Sequence, residues 1–222
     1  MIATGVQWRR LDAPGIDRLQ GAGVYYGGGA TEAISCAGEI VYVVGGANSA
    51  GQAAMNFAKH AEKVFILVRG SSLSSTMSQY LIDQIKETPK IQVWAHASIS
   101  EVHGDTHLEE ISVMCSDTGK IERVPANSVF IFIGALPRTD WLAGVVERDD
   151  RGFLLTGPDL IVNGERPKGW TLERDPYLLE TNVPGIFAVG DVRHGSVKRV
   201  ASGVGEGSVA VQFIHQYLSK VQ

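Results

Sequence analysis

Hydrophobic positions in the first half of the chain alternate between strand-like and helix-like spacing. Residues 39–45 (EIVYVVG) form a nearly continuous apolar run, typical of a strand buried on both faces of a parallel sheet. Residues 49–61 then carry apolar side chains at helical spacing, and residues 63–68 form a second buried run. A second helix is predicted over residues 77–87. The order strand, helix, strand, helix indicates an α/β fold.

Shorter strand-like runs follow this region. Together they predict an antiparallel meander, with turn residues at 117–120 before the last run. The four runs are residues 91–95, 98–103, 108–115 and 121–124. A last buried strand is predicted over residues 129–133, ending at Gly134.

The final third of the chain has weaker periodicity. Residues 141–184 are rich in Gly, Pro and Asp turn signals, which predict a loop-rich passage. A strand over residues 185–189 and a helix over about residues 205–220 are predicted to close the chain. Apolar surface on that helix is supplied by Val209, Val211, Phe213, Ile214 and Leu218.

Composition narrows the class of protein. The 222 residues are 44% apolar and 20% charged, enough for one large or two small folded units. The net charge is −4 and Lys and Arg are scattered, so no nucleic-acid surface is expected. The apolar runs are too short to span a membrane and no secretory stretch follows Met1, so a cytoplasmic protein is predicted. Cys36 and Cys115 are too far apart for a Cys-x-x-Cys pair, and no metal site is predicted.

A glycine-rich turn at residues 45–51 lies between a predicted strand and a predicted helix, which is the setting of a dinucleotide site. Gly45 permits a tight turn, the small Ala47 lets the backbone approach a pyrophosphate, and Ala50 allows close helix packing. The middle position of the G-x-G-x-x-G/A pattern is Ala47 rather than glycine. The turn by itself therefore leaves open a strand-to-helix connection that binds nothing.

Arg69 stands at the end of the second strand, where NAD sites usually place an acid that accepts the ribose 2′-hydroxyl. A guanidinium, helped by Ser71 and Ser72, suits a 2′-phosphate instead. This position favours NADPH, and a solvated arginine at a strand end is the alternative.

Three segments carry a family resemblance: VYVVGGANSAG, FIFIGALPRTDWL and VPGIFAVGD. Their order and spacing resemble those of the thioredoxin-reductase-like flavoproteins, over nearly the whole chain but only after that family's first FAD segment. The resemblance implies a Rossmann-like NADPH-binding domain with an antiparallel meander at residues 22–139. This domain would be inserted into the remnant of an FAD-binding domain, residues 1–20 and 140–222. The N-terminal half of the FAD domain is accordingly expected to be missing from this sequence.

The resemblance also assigns residues to the two cofactors, NADPH and FAD. The pyrophosphate loop would comprise Gly45, Gly46, Ala47, Asn48, Ser49 and Ala50, with Arg69 at the 2′-phosphate and Ile133 and Gly134 beside the nicotinamide half. Arg69 is followed by Gly70, where many relatives have a second arginine. In the FAD domain, Asp191 after Gly190 would bind the ribityl chain, and Lys198, Arg199 and Val200 would lie against the isoalloxazine ring.

The family's redox-active Cys-x-x-Cys is absent. The corresponding stretch reads YYGGGATE, with Gly27 and Ala30 in place of the two cysteines. Without a thiolate and its resolving partner, electrons cannot pass from flavin to a disulfide through this site. The predicted function is hydride transfer from NADPH to FAD and on to an unidentified, non-dithiol acceptor, with no catalytic side chain assigned. A non-catalytic nucleotide-binding regulatory module and a fragment that binds neither cofactor are the alternatives, and the resemblance allows a homodimer.

Overall fold

The computed structural model describes residues 1–221, and the chain divides into two compact units. The insert unit is Arg10–Gly134, and the terminal unit combines Met1–Arg9 with Ala135–Gln222. The predicted cofactor domains, with limits at residues 20–22 and 139–140, remain predictions.

The regular elements of the described residues are strands and α-helices of two to twenty-two residues. The strands are β1 (Gln7–Trp8), β2 (Val24–Tyr26), β3 (Ile40–Val44), β4 (Lys63–Leu67), β5 (Ile91–Trp94), β6 (Ala97–His103), β7 (Glu110–Cys115), β8 (Ile121–Pro125), β9 (Ser128–Ile131) and β10 (Ala135–Leu136). The α-helices are α1 (Ile16–Leu19), α2 (Ala30–Ser35), α3 (Asn48–Phe57), α4 (Gln79–Lys86) and α5 (Val200–Val221).

A five-stranded sheet forms the centre of the insert unit, in the order β2-β9-β3-β4-β5. All its neighbouring strands are parallel, so the predicted α/β fold is confirmed. One prediction was wrong: residues 91–95 do not join the meander. Ile91 pairs with Val64 and Trp94 with Leu67, which makes β5 the edge strand of the parallel sheet. The reason is α4, because a helix between two strands supplies the crossover that parallel pairing requires.

The meander contains the other three predicted runs. Strands β6, β7 and β8 pair antiparallel in that order, and the predicted turn at residues 117–120 joins the last two. A register shift between Ile99 and Glu101 interrupts the first pairing.

Alternate side chains of the sheet supply two apolar clusters. Val41 and Val43 of β3 join one cluster, and Tyr42 and Val44 join the other, as the two-residue period of a strand requires. Helix α3 packs on the first cluster and ends at Phe57, four residues before its predicted end. After Phe57 the chain continues in turns, because it must change direction before β4 begins at Lys63. The predicted apolar face of the helix is nevertheless buried. Its members are Ala53, Ala54, Phe57, Ala58 and Ala61.

The terminal unit contains mostly loops and short 3₁₀ turns, as predicted for residues 141–184. The strand predicted over residues 185–189 is not formed. Phe187 bridges Glu180, and Ala188 bridges Ile2 on the other side, but each pairing is a single residue long and no ladder develops. Helix α5 begins at Val200, five residues earlier than predicted, and Ala210 is its buried member within the described residues.

Among residues 1–221, no helix combines the length and apolar character needed to cross a bilayer.

Candidate functional site

The predicted glycine-rich turn directly follows β3. Gly45 has a φ of +141°, and a Cβ atom there would lie 2.4 Å from the carbonyl oxygen of Phe132, so only glycine fits. The Gly45 N–H donates to the Leu67 carbonyl at 3.0 Å, which holds the turn beside the end of β4. Ala47 caps α3 without a side-chain hydrogen bond. The first N–H groups of a ten-residue helix are thus left for water or an anion.

Two hydrogen-bonded contacts brace this turn against the loop that precedes α4. The Thr76 hydroxyl donates to the Gly46 carbonyl at 2.7 Å. The Asn48 side-chain oxygen accepts from the Ser78 N–H at 2.8 Å and from its hydroxyl at 3.1 Å. Asn48 therefore links the glycine-rich turn to the start of α4, in addition to its predicted role in binding the pyrophosphate. Ala47, Asn48 and Ser49 are exposed, whereas Ala50 is fully buried against the sheet.

The other residues predicted to bind NADPH lie at the same edge of the sheet. Arg69 is exposed, follows β4 by two residues, and forms no ion pair with any described residue. Ile133, partly buried, and Gly134, exposed with a φ of +91°, follow β9. Because β9, β3 and β4 are parallel neighbours, their carboxyl ends gather these residues, and ligands of open α/β sheets bind at such an edge.

The segment at residues 27–30, which was predicted to correspond to the family's Cys-x-x-Cys, has a backbone that suits glycine. Gly27 has a φ of +77°, a left-handed conformation that a cysteine adopts only with strain. A Cβ atom at Gly28 would lie 2.8 Å from the Phe130 ring and 3.0 Å from that of Phe57. The backbone conformation at Gly27 therefore favours glycine, and the packing around Gly28 leaves no room for a side chain.

Cys36, the cysteine nearest to this segment along the chain, is not poised for thiol chemistry. Cys36 is buried beside Ser128, and burial raises the pKa of its thiol to about 11. A thiol with that pKa is protonated at neutral pH, whereas disulfide exchange requires the thiolate. Cys36 and Cys115 are both free. Within residues 1–221, no group of His, Cys, Asp and Glu side chains is arranged to hold a metal ion.

A cavity of about 460 Å³ in the terminal unit brings together all five residues predicted to bind FAD. That volume lies within the range of small-molecule sites. Its lining combines a charged side with an apolar side. The lining residues are Ala3, Gly5, Val6, Trp8, Ala135, Val189, Gly190, Asp191, Lys198, Arg199, Val200 and Gly203.

Asp191 is the carboxylate of this cavity. Its side chain makes no hydrogen bond or ion pair with any described residue, so both oxygens can accept from a ligand hydroxyl. Lys198 Nζ lies 3.4 Å from the Asp191 backbone carbonyl and 4.4 Å from the centre of the Phe153 ring. Helix α5 begins at Val200, at the cavity wall, and its N-terminal dipole adds positive potential beside these cations.

Two residues near Asp191 were not predicted from the sequence. Glu206 of α5 accepts from the Gly190 N–H at 2.6 Å and from Arg193 Nη2 at 2.6 Å. Burial opposes ionisation of Glu206, but these hydrogen bonds outweigh it and hold the pKa of the carboxyl below its ordinary value. Trp8 lines the cavity with 53% of its surface exposed. An acid between two glycines at a helix start, and a tryptophan just after an Ala-Thr-Gly segment, were the available signals.

His194 lies close to Asp191 along the chain but is bonded to a different acid. Its Nδ1 lies 2.8 Å from Asp149 Oδ2, while Asp149 Oδ1 accepts from the N–H groups of Arg151 and Phe153. Burial raises the pKa of Asp149, but the hydrogen bonds from His194 and the two N–H groups outweigh that effect and lower it overall. The pair anchors the loop after Asp191 to a neighbouring turn.

Sequence comparison identifies the family of this chain. The profile described as pyridine nucleotide-disulphide oxidoreductase matches residues 1–207. The chain belongs to that family, whose thioredoxin-reductase type uses FAD and NADPH.

Individual relatives agree with this assignment. The chain is 30% identical over 223 residues to a component of the alkyl hydroperoxide reductase of Staphylococcus epidermidis, covering 98% of this chain and 39% of that protein. It is 29% identical to a protein named NADH dehydrogenase from Ferdinandcohnia aciditolerans, covering 98% and 38%. The fold matches thioredoxin reductase of Lactococcus lactis with a TM-score of 0.76 at 24% identity, covering 99% of this chain and 65% of that one. The chain thus spans less than two thirds of the length of each of these proteins.

Proposed function

We propose that the whole protein is an NADPH-dependent flavin oxidoreductase that passes electrons to an acceptor other than a protein disulfide. When bound, the two cofactors would supply the chemistry, with hydride passing from NADPH to FAD, while the protein positions them. The observation that carries the proposal is that Gly27 and Ala30 occupy the two positions that the resemblance assigns to the family's redox-active cysteines. The buried Cys36, with its raised pKa, offers no substitute.

NADPH would bind in the insert unit, at the carboxyl edge of the parallel sheet. The uncapped start of α3 suits a pyrophosphate, and the left-handed Gly45 allows the close turn that such binding needs. Arg69 has no ion pair of its own among the described residues and suits the 2′-phosphate. In this proposal residues 22–139 form the NADPH domain, and Ile133 and Gly134 border the nicotinamide half.

The ring and ribityl parts of FAD would bind in the cavity of the terminal unit. Asp191 offers a free carboxylate for the ribityl hydroxyls. Lys198, Arg199 and the start of α5 at Val200 supply the positive potential that favours the negative charge of reduced flavin. Residues 1–20 and 140–222 would be the parts of the FAD domain present in this sequence.

The adenosine half of FAD would be held by a segment outside these 222 residues. Two observations support this part of the proposal. The chain spans 65% of the Lactococcus thioredoxin reductase. In addition, α5 exposes apolar side chains at positions four and seven residues apart: Val200 (87%), Val204 (69%), Val211 and Leu218. One face of a helix carries all four, and an apolar face of this length normally packs against protein.

Two expectations follow for the chain as given. It should purify without colour, because the site holds only the ring end of FAD and the affinity should fall by several kcal/mol. It should also regain bound FAD when co-expressed with the first FAD segment of a relative. If α5 instead pairs with a second copy in a homodimer, sedimentation analysis would show a dimer that persists after co-expression. A yellow preparation with stoichiometric FAD would contradict the missing-half proposal.

The acceptor would be a diffusible molecule such as a quinone, a dye, oxygen or a one-electron protein. Residues 27–30 contain no cysteine, so this segment lacks the thiolate relay that disulfide exchange requires. The two free cysteines suit the reducing cytoplasm, where we place the protein.

The decisive experiment measures NADPH oxidation by the whole, FAD-loaded protein with thioredoxin or with a quinone as acceptor. We expect turnover with the quinone and none with thioredoxin. Rapid thioredoxin reduction that survives Cys36→Ser and Cys115→Ser would refute the proposed acceptor class. Stoichiometric NADPH binding without any oxidation would support the regulatory module instead.

A further inference from the structure

We propose that Glu206 is a positioning residue of the flavin site, which clamps the Gly190–Asp191 turn to α5 so that the Asp191 carboxylate stays at the cavity wall. The inference rests on the proposed flavin site and deepens it. It assigns a role to a residue that contacts the turn but is absent from the lining of the cavity.

The first arm of the clamp holds the residue immediately before Asp191. The Gly190 N–H donates to Glu206 Oε2 at 2.6 Å, a short bond of the charge-assisted kind. Gly190 has a φ of +74°, and a Cβ atom there would lie 3.9 Å from the Cα atom of Gly203. The turn thus lies against the backbone of α5 at Gly203, one helical turn before Glu206, and the Glu206 side chain reaches the Gly190 N–H from there.

The second arm holds the residue two positions after Asp191. Arg193 donates to Glu206 through Nη2 at 2.6 Å and Nε at 3.3 Å, and through Nη1 to the His194 carbonyl at 3.1 Å. Arg193 also pairs with Leu154 in a single parallel bridge. Asp191 is therefore flanked on both sides by backbone that Glu206 fixes directly or through Arg193.

The charges explain why the clamp acts by position. Glu206 and Arg193 both have side chains that are 17% exposed, and their charges neutralise each other. Asp191 is left as the unpaired carboxylate of the cavity among the described residues, and Lys198 and Arg199 line the same cavity. Removal of Glu206 would free the turn that carries Asp191, because an active group must be held by its supporting residues to act with full effect.

The ligand for the test is FMN, which has the ring and ribityl chain but no adenosine. Its affinity for the 222-residue chain would be followed at millimolar FMN by chemical-shift changes of the cavity amides. We expect Glu206→Ala to weaken FMN binding by about tenfold, the scale of one charge-assisted hydrogen bond. Glu206→Gln keeps an oxygen for the Gly190 N–H and should lose less. Glu147→Gln, an exposed glutamate of the same unit, is the matched control and should have no effect.

A double-mutant cycle separates positioning from direct binding. In the Asp191→Asn background, adding Glu206→Ala should cost little further affinity, because Glu206 acts through Asp191. Losses that simply add, or an unchanged affinity in Glu206→Ala alone, would overturn the inference.

The clamp itself is tested without ligand. In the unmutated chain, the Gly190 amide resonance should shift with pH as Glu206 titrates, with a midpoint below the ordinary ~4.3 of glutamate. The shift should vanish in Glu206→Gln. If the unmutated chain does not bind FMN, the proposed flavin site fails. The pH titration of the Gly190 amide then tests the clamp by itself. A pH-dependent shift that persists unchanged in Glu206→Gln overturns the clamp.

Discussion

The insert unit and the terminal unit are each stabilised internally by a different kind of interaction. The insert unit encloses a parallel sheet between two apolar clusters, with aromatic stacks such as Phe57 on Phe130 at 4.2 Å. The terminal unit has two small clusters of four or five buried residues each. Its loops are instead tied by charged side chains, among them Arg174 with Glu180 and Arg193 with Glu206. Cavity-forming mutations should therefore damage the first unit most, and loss of charge should damage the second.

This difference also separates the two halves of the candidate chemistry. The predicted NADPH site is made by backbone at the ends of buried strands, which the core holds rigid. The predicted FAD site is made by a loop that depends on Glu206, Arg193 and the Asp149–His194 pair. A change in pH, or the removal of a single charged side chain, should consequently affect the predicted FAD site more than the predicted NADPH site.

The largest effect is expected from Phe130→Ala in the insert unit. Phe130 is 1% exposed and stacks on both Phe57 and Tyr25, so its truncation leaves a cavity in the first cluster. We expect a loss of about 3–5 kcal/mol in the free energy of unfolding. Urea denaturation followed by circular dichroism gives the value. The exposed Tyr80→Ala should change it by no more than about 0.5 kcal/mol. Equal losses in both variants would contradict the core described above.

Glu180→Ala should produce the next largest loss, in the terminal unit. Glu180 is fully buried and accepts two bonds from the Arg174 guanidinium and one each from the N–H groups of Tyr177 and Gly185. Its removal strands a partly buried guanidinium and should cost about 3 kcal/mol. Hydrogen exchange of residues 170–190 would localise the loss. Asp175→Ala, which breaks an exposed pair with Arg166, should cost less than about 1 kcal/mol, and a similar cost for both would count against the comparison of the units.

Arg69→Ala tests the nucleotide site without touching either core. Calorimetry should show that the unmutated chain binds NADPH more tightly than NADH. The substitution should remove about 1.5–3 kcal/mol of NADPH binding and leave NADH unchanged, because it deletes a charge-assisted bond to the 2′-phosphate. Lys86→Ala removes an equal charge at the end of α4 and serves as control. Equal affinities for the two nucleotides in the unmutated chain would refute the assignment of Arg69.

The smallest effect is expected from a fall in pH, which should slightly lower the stability of the terminal unit. The pKa values of Asp149 and Glu206 are lowered in the folded terminal unit, so both groups stabilise it above their unfolded pKa values of about 3.9 and 4.3. That stabilisation should disappear as the pH falls through the folded pKa values, at no more than about 1 kcal/mol per group. Hydrogen exchange at pH 6 and pH 3 should show earlier opening of the loop at residues 190–199 than of the parallel sheet. Simultaneous opening of both regions would contradict the prediction.

Sequence reasoning succeeded where one local pattern carries the structure. The strand at β3, the glycine turn and α3 follow from apolar period and turn chemistry within about twenty residues. It failed at β5, because a run of four residues looks the same whether its partner is a parallel or an antiparallel strand. It also failed at residues 185–189, where a strand-like run finds only single-residue partners.

The sequence by itself determined the family motifs, the unit of strand, glycine turn and helix at β3 and α3, and the absence of a Cys-x-x-Cys pair, because these depend on neighbouring residues. Tertiary structure alone decided that Glu206 meets Gly190 and Arg193 and that Trp8 lines the cavity with Asp191. It also decided that Gly28 lies against two phenylalanine rings. Each of these arrangements brings together residues that lie between 13 and 183 positions apart along the chain. Their pairing is set by the packing of helices and loops, which no local pattern of residues records.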